Sequence, residues 1–211
     1  MKLASNFVRY INFLRLAHKP IGNMVDIPRV SSLASMLAEY SADSLNKPDA
    51  STLDMGCGKT PRNPFGAARS FGIDIREDLE HGIKTADLAV DAIPFDDGVF
   101  DYITAYDFLE HIPRIVYAPE RRFCFIELMN EVWRTLAPDG IFLSHTPIYP
   151  FSAVFQDPTH VNFLTVETFP QYFDDKNRLG VMYGFKGSFK VLKQALIGPH
   201  LVSILQKVEL K

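Results

Sequence analysis

Cysteine is scarce in this chain of 211 residues, and no Cys-x-x-Cys pair is present. The two cysteines, Cys57 and Cys124, lie far apart in the sequence. This spacing argues against a disulfide scaffold and against a cysteine-based zinc site, and it is typical of a reducing compartment. We therefore expect a cytoplasmic protein.

Long apolar runs are also missing. No stretch approaches the ~20 consecutive apolar residues of a membrane-spanning helix, so we expect no membrane span. Arg9 and Arg15 interrupt the apolar residues near the start, which argues against a signal peptide. With 47% hydrophobic and 22% charged residues, the composition is that of one ordinary globular domain.

A large excess of charge of either sign is also lacking, because the net charge is only −3. Nothing global therefore indicates a nucleic-acid partner. The distribution is uneven, since residues 74–110 are acidic and residues 176–211 are basic. Two solvated faces are the simpler interpretation, and an acidic cofactor side with a basic lip for an anionic substrate is the alternative.

What the chain does have is a glycine turn between two predicted strands, within residues 51–76 (STLDMGCGKTPRNPFGAARSFGIDIR). The first strand, 52–55, carries Asp54, and the glycines that follow it allow a sharp turn and close approach of a ligand. The second strand, 71–75, carries Asp74 at the spacing of about 20 residues that places a carboxylate beside a nucleotide ribose. Two prolines after the turn predict a short, irregular first crossover.

Apolar periodicity predicts the remaining elements. Helices are expected over 5–18, 28–45, 120–136 and 165–173, and further strands over 83–86, 100–105 and 141–146, with a hairpin of 185–191 and 201–208. This order indicates a parallel α/β sheet closed by a final antiparallel pair. We expect one domain over 1–211, with a helical cap in 1–48 and a substrate-loop region in 147–180.

Four segments resemble, in order and spacing, the motifs of class I S-adenosylmethionine (SAM)-dependent methyltransferases. They are LDMGCG, GIDI, ADLAVDAIPFDDGVFDYITAYDFLEHI and FIELMNEVWRTLAPDGIFL. The resemblance implies a Rossmann-like, doubly wound, mostly parallel seven-stranded sheet with one antiparallel strand near the C-terminus and helices on both faces. It implies SAM as cofactor and S-adenosylhomocysteine as product. Thr60 departs from the pattern, because many members have a third glycine there.

The chemistry of SAM then suggests roles for the matching residues. Backbone N–H groups of 56–58 would meet the carboxylate, Asp54 the ammonium and Asp74 both ribose hydroxyls. Asp87 would accept from the adenine amino group, with Asp91 as a competing choice. Strand-end capping is the alternative role for these acids. The expected cofactor-binding residues are Asp54, Met55, Gly56, Cys57, Gly58, Asp74, Ile75, Asp87, Leu88 and Tyr106.

A hydroxyl acceptor needs a general base, and histidine is the usual one near neutral pH. His160 and His111 are the predicted catalytic residues, and His145 is a third candidate because it ends a predicted strand. A purely structural role is the alternative for His111 and His160. The other histidines are predicted to lie on the surface away from the site: His18, His81 and His200.

A metal-binding alternative comes from Asp107, Glu110 and His111, which form a DxxEH pattern. It resembles the ExxEH pattern with which some methyltransferases hold a divalent metal, including RNA 3′-terminal and ubiquinone-pathway enzymes. His145 or His160 could complete such a set. Our expectation is no metal, because LEH simply begins a helix in many metal-free relatives.

The segment AVFQDPTHVNFLTVETF resembles methyltransferases of glycan and polysaccharide pathways. It implies transfer to a hydroxyl of a small-molecule or glycan acceptor, including anionic ones. The cations available for a phosphate would be Lys186, Lys190, Arg121 and Arg122. The alternatives are a methyltransferase of an RNA end or nucleotide, although nucleic acid is the less favoured partner, and a non-catalytic SAM-binding protein.

Overall fold

The computed structural model describes residues 6–12, 24, 26–78 and 80–209. Within these residues, one seven-stranded sheet has the order β3-β2-β1-β4-β5-β7-β6. The strands are β1 Ser51–Met55, β2 Arg69–Asp74, β3 Lys84–Thr85, β4 Phe100–Tyr106, β5 Leu136–Pro147, β6 Phe189–Ile197 and β7 His200–Lys207. Strand β7 runs antiparallel to both of its neighbours, whereas the pairings among β1 to β5 are parallel. The predicted fold class is confirmed.

The helices are short. They are α1 Leu33–Leu37, α2 Cys124–Thr135, α3 Ala153–Gln156 and α4 Thr168–Tyr172, with 3₁₀ turns at Ala38–Tyr40, Leu109–His111 and Leu179–Tyr183. Residues 6–12 are also helical, and the rest of the helix predicted over 5–18 lies outside the described residues. No helix in the described part of the chain combines the length and apolar character needed to cross a bilayer.

The helix predicted over 28–45 is wrong in extent. Residues 28–30 instead run along the edge of the sheet and exchange two backbone hydrogen bonds with Leu196 of β6, at 2.8 and 3.0 Å. The helical part is limited to α1 and the 3₁₀ turn after it, where the Ser44 hydroxyl donates to the Ala38 carbonyl at 2.7 Å. Such a side-chain bond to the backbone competes with helix continuation.

Two other predicted helices begin later than expected. Before α2, Val116 and Arg122 exchange backbone hydrogen bonds of 3.0 and 3.1 Å, so the chain there is extended. Before α4, the N–H of Thr165 donates to the Thr168 hydroxyl at 3.0 Å, so a turn precedes the helix. In the C-terminal hairpin, the first strand starts at Phe189 and continues to Ile197, further along the chain than predicted.

Both faces of the sheet are buried, which confirms helices on both faces. On one face, Met36 and Leu37 of α1 join a core that contains Tyr102 and Leu143. On the other face, apolar residues of α2 pack with residues such as Phe142 in the larger core. Helix α2 offers one continuous apolar stripe for this contact, and burial of such a stripe is the main source of helix stability in proteins.

The first crossover, between β1 and β2, contains no helix, as predicted. Gly72 in β2 explains how this is possible, because a Cβ there would lie 2.5 Å from Cys57 Sγ and 2.7 Å from Pro61 Cγ. The turn and the proline therefore pack directly on the strand. Phe65 completes the crossover by stacking on Tyr102 of β4, with ring centroids 4.4 Å apart.

Candidate functional site

The N–H groups of the glycine turn are bonded within the fold. Those of Gly56 and Cys57 both donate to the carbonyl oxygen of Ile73, at 2.8 and 3.1 Å. That of Gly58 donates to Asp74 Oδ2 at 2.9 Å. Gly56 and Gly58 have φ of +66° and +60°, in the left-handed region that favours glycine. The expected contact of these N–H groups with a ligand carboxylate would therefore require bonds of the turn to break.

Asp54 lies buried beneath this turn and is 0% exposed. Its Oδ1 accepts from the Thr104 hydroxyl at 2.7 Å, and its Oδ2 accepts from the Arg62 N–H at 2.8 Å. Burial raises the pKa of Asp54, and these hydrogen bonds oppose that shift. The Arg62 guanidinium lies 4.8 Å from the ring centre of Tyr106. In this structure Asp54 fixes the chain after the turn, and Arg62 is the charged group presented nearby.

A cleft of about 390 Å³ opens beside the turn, within the range of 300–1,000 Å³ that is usual for ligand pockets. Of the expected cofactor-binding residues, it is lined by Gly56, Asp74, Ile75, Asp87 and Leu88. Asp107, Phe108 and His111 also line it. The remaining members of the expected set do not line this cleft: Asp54, Met55, Cys57, Gly58 and Tyr106.

Asp74 presents a carboxylate at this cleft although only 6% of the residue is exposed. Besides the bond from Gly58, its Oδ1 accepts from the backbone N–H and the Nε of Arg76, both at 3.0 Å. Burial alone would raise the pKa of Asp74, but the hydrogen bonds from Arg76 and Gly58 outweigh burial and lower the pKa. The group is therefore an ionised acceptor, as a contact with two ribose hydroxyls requires.

The two competing acids for the adenine end are separated by the structure. Asp87 borders the same cleft as Asp74, and its Oδ1 accepts from the Ala89 N–H at 3.0 Å. Asp91 accepts from the Asp87 N–H at 3.0 Å and lines a different depression, together with Arg122. This placement favours Asp87 over Asp91.

Histidines and carboxylates form two groups at the edge where β4 and β5 end. In the first group, Glu110, His111 and His160 offer ligand atoms within 4.8 Å of one another. Glu110 is 0% exposed, and its Oε2 accepts from the Thr146 hydroxyl at 2.5 Å. Its Oε1 has no hydrogen-bond partner and lies 4.0 Å from His160 Nε2. Burial raises the pKa of Glu110.

In the second group, Asp107, His145 and His200 are equally close together. Asp107 Oδ1 lies 2.9 Å from His200 Nε2 and 3.7 Å from His145 Nδ1. The two imidazoles stack with centroids 4.4 Å apart. Burial tends to raise the pKa of Asp107, but the two imidazoles outweigh it and hold the pKa well below its usual range. The DxxEH pattern is thus divided, with Asp107 in one group and Glu110 and His111 in the other.

The family follows from a match of residues 53–144 to the model of a methyltransferase domain. This segment of the chain is therefore a methyltransferase domain, as the class I SAM-dependent motifs predict. SAM is the cofactor that the match supports. The matched segment contains the glycine turn, Asp74, Asp87 and His111, so the cleft is formed largely by the methyltransferase core. None of the curated protein sequences matches the chain significantly.

Solved structures share the fold at low sequence identity. A SAM-dependent methyltransferase from Archaeoglobus fulgidus has a TM-score of 0.50 at 16% identity, over 83% of this chain and 93% of that one. A 1,6-didemethyltoxoflavin-N1-methyltransferase from Burkholderia thailandensis has 0.52 at 13%, over 99% and 91%. Phosphoethanolamine N-methyltransferase 1 from Haemonchus contortus has 0.53 at 13%, over 80% and 42%. At such identities the likeness establishes the fold and leaves the acceptor open.

The prediction that His200 lies on the surface away from the site is wrong. His200 is the first residue of β7, and β7 is the reversed strand, so its beginning lies at the edge where the parallel strands end. The pairing of His200 with Pro147 of β5 places it there. The predicted antiparallel hairpin already contained this signal. Of the other two histidines assigned to the surface, His81 has 48% of its side chain exposed, and His18 lies outside the described residues.

Sequence reasoning also missed two residues that line the cleft beside the glycine turn. Arg76 donates to Asp74 from both its backbone N–H and its side chain. Phe108 packs against Gly56, where an added Cβ would lie 2.5 Å from the Phe108 ring. Arg76 directly follows the predicted second strand, so its position was a usable signal. Phe108 depends on how the loop after β4 folds back, for which the sequence contains no local signal.

Proposed function

We propose that this methyltransferase acts on a hydroxyl of a small-molecule or glycan acceptor, with His111 as the general base. The observation that carries the proposal is that His111 lines the same cleft as Gly56, Asp74 and Asp87. Bound SAM supplies an electrophilic methyl group on a sulfonium, so positioning provides much of the rate and the chain has only to orient the acceptor and remove its proton. An amine acceptor would need no such base.

The hydrogen-bond network assigns the proton on His111. The Thr159 hydroxyl donates to Asp157 Oδ1 at 2.6 Å, so its oxygen accepts from His111 Nδ1 at 3.0 Å. His111 Nδ1 therefore carries hydrogen, and Nε2 holds the lone pair that can take the acceptor proton. The Asp157 carboxylate holds the Thr159 hydroxyl in this orientation. In such an arrangement, the hydrogen bond made by one ring nitrogen fixes the tautomer and leaves the other nitrogen free to act as the base.

His160 is assigned a positioning role. Its Nδ1 donates to the Val154 carbonyl at 3.0 Å, which directs Nε2 toward Glu110. Its ring meets that of His111 edge-to-face, with centroids 4.8 Å apart. Only 9% of its side chain is exposed, whereas His111 borders the open cleft. Of the two predicted bases, this favours His111 for the proton transfer.

The residues proposed to hold SAM are those that line the cleft. Asp74 would accept from the ribose hydroxyls, Asp87 from the adenine amino group, and Leu88 would pack against the ring. Gly56 borders the same cleft, and only glycine fits there because a Cβ would lie 2.5 Å from the Phe108 ring. For Asp54 we propose an indirect role through Arg62, which leaves the Arg62 side chain available for the amino-acid end.

The loop region 147–180 supports a sugar or similarly flat acceptor. Phe155 and Phe163 are 53% and 40% exposed and lie with ring centroids 5.0 Å apart, close along the chain to His160. Exposed rings of this kind present apolar faces with a polar environment around them. Lys186 lies in the depression beside Asp91 and remains available for an anionic group. Arg122 there is already paired with Glu127.

A nucleic-acid acceptor receives less support. Two of the cations in the basic segment 176–211 are committed elsewhere, because Lys193 pairs with Glu39 at 2.9 Å and Lys207 is buried. Lys207 donates to the Leu136 carbonyl at 2.7 Å and lies 4.3 Å from the Trp133 ring centre. These two cations are therefore not available to a phosphate backbone.

The test begins with isotopically labelled SAM and a host-cell extract, followed by mass spectrometry of the labelled products. A methyl group found on oxygen supports the proposal, and one found on nitrogen overturns the hydroxyl assignment. With the acceptor in hand, His111→Ala should lower kcat by about 100-fold or more at neutral pH and lose the acidic limb of the pH–rate profile, where protonation of the base lowers the rate. The matched control is His81→Ala, an exposed histidine outside the cleft. Full turnover in His111→Ala would refute the base assignment.

A further inference from the structure

We infer that Asp107, His145 and His200 form a binding site for one first-row transition-metal ion, with Zn²⁺ as the reference ion. The proposed methyl transfer assigns no role to any of these three side chains. They come from the end of β4, from β5 and from the start of β7, which are neighbouring strands of the sheet. The inference is independent of the acceptor and of the role of His111.

The backbone fixes the three positions. The N–H of Asp107 donates to the His145 carbonyl at 2.9 Å, and His200 pairs with Pro147 two residues further along β5. Asp107 has a φ of +48°, which a non-glycine residue rarely adopts and which turns the chain sharply after β4. Strained residues of this kind concentrate at ligand sites. The two histidines lie on paired strands, so their backbone positions are fixed before an ion binds.

The distances between ligand atoms suit a small coordination sphere. Atoms that are about 2.0–2.2 Å from one tetrahedral ion lie roughly 3.3–3.6 Å from each other. Asp107 Oδ1 lies 2.9 Å from His200 Nε2 and 3.7 Å from His145 Nδ1, which is close to this spacing. The two imidazoles are stacked within 18° of parallel, so at least one ring has to rotate for both nitrogen lone pairs to face one ion. Two imidazoles and one carboxylate select Zn²⁺-like ions over Mg²⁺ or Ca²⁺, which prefer oxygen ligands.

A second observation points to a ligand. His145 Nδ1 is inaccessible to solvent and has no hydrogen-bond partner. A buried polar atom without a partner destabilises the fold, and a coordinated ion would remove that cost. Asp107 supplies the carboxylate of the group. Its side chain is 53% exposed, which leaves the outer coordination positions open to water or to a ligand in the cleft.

The test measures Zn²⁺ binding by calorimetry on tag-free, chelator-treated protein. Because Glu110, His111 and His160 could take an ion of their own, the comparison is made in a His160→Ala background. We expect one equivalent of Zn²⁺ to bind there and the affinity to fall by about 100-fold or more when His200→Ala is added, since even outer partners of metal ligands contribute 10–100-fold. Adding His81→Ala removes one half of an exposed Asp–His pair and should change nothing.

Asp107→Asn in the otherwise unchanged protein is the second variant, because it keeps the side-chain volume and should weaken Zn²⁺ binding similarly. Co²⁺ in place of Zn²⁺ reports tetrahedral coordination through its visible absorption, and Mg²⁺ should bind far more weakly. Thermal melting verifies that each variant is folded. The inference is overturned if the His160→Ala protein binds no Zn²⁺, or if His200→Ala leaves its affinity unchanged, which would mean that the Asp–His–His group is only an internal ion pair.

Discussion

Asp74 offers the sharpest test of the cofactor half of the site. Its carboxylate is proposed to accept from both ribose hydroxyls, and a hydrogen bond to a charged group contributes about 1.5–3 kcal/mol. Asp74→Ala removes both, so a loss of about 3 kcal/mol or more in binding is expected, which corresponds to at least ~100-fold in Kd for S-adenosylhomocysteine. Asp74→Asn keeps one neutral acceptor and should lose about 10-fold.

The same substitution also affects the fold, and the two effects have to be separated. Without the carboxylate, the N–H groups of Gly58 and Arg76 lose their acceptor. We expect a cost of about 1–2 kcal/mol in the free energy of unfolding, or roughly 2–8 °C in Tm for a chain of this size. Calorimetry with S-adenosylhomocysteine at a temperature well below the Tm of every variant then reports binding alone.

Arg76→Ala is the matched control, because Arg76 occupies Asp74 Oδ1 in the structure and 80% of its side chain is exposed. If Asp74 contacts the ribose, removing this competing donor should leave the affinity unchanged or raise it. Binding by Asp74→Ala within about threefold of the wild type would refute the ribose contact. An equal loss in Arg76→Ala and Asp74→Ala would show instead that Asp74 serves only to position Arg76.

Two further substitutions test the fold around the site. Glu110→Gln should raise Tm relative to the wild type more at about pH 8 than at about pH 4, because burial raises the pKa of Glu110. The folded wild type then binds more protons at Glu110 than the unfolded chain does, so its stability falls as pH rises. Glutamine does not titrate, so the variant lacks this loss. An equal Tm difference at both pH values would contradict the prediction. Gly72→Ala should cost about 1–3 kcal/mol, since its Cβ would meet Cys57 Sγ at 2.5 Å and Pro61 Cγ at 2.7 Å. Urea denaturation measures this cost, and an unchanged midpoint would mean that the crossover can move away.

The sequence predicted the strand–turn–strand frame beside the cleft because its signals are local. A strand, a glycine turn and a strand-end acid lie within residues 51–76, and positive φ at Gly56 and Gly58 is required wherever the chain turns this way. Parallel pairing of β1 and β2 then brings Asp74 beside the turn. What the sequence could not show is that the fold itself uses the three N–H groups, because their acceptors, Ile73 and Asp74, are chosen by tertiary packing.

The helix predicted over 28–45 failed for a different physical reason. Apolar spacing indicates only that one face is buried, and an extended segment at a sheet edge can bury the same residues. Here the edge strand β6 provides that alternative by pairing with residues 28–30. The strand pattern near the C-terminus was readable from the sequence, but which distant segment pairs with its free edge was not.

The DxxEH pattern shows why a motif needs the fold before it can be interpreted. If residues 107–111 formed a regular helix, Asp107, Glu110 and His111 would share one face, as residues three and four apart do. The positive φ of Asp107 and the 3₁₀ turn Leu109–His111 break that relation. Asp107 therefore joins the histidines of β5 and β7, while Glu110 and His111 join the loop that contains His160. Reversing β7 places a further imidazole, that of His200, beside Asp107, so this edge of the sheet holds two carboxylate–imidazole groups where the motif alone suggested one.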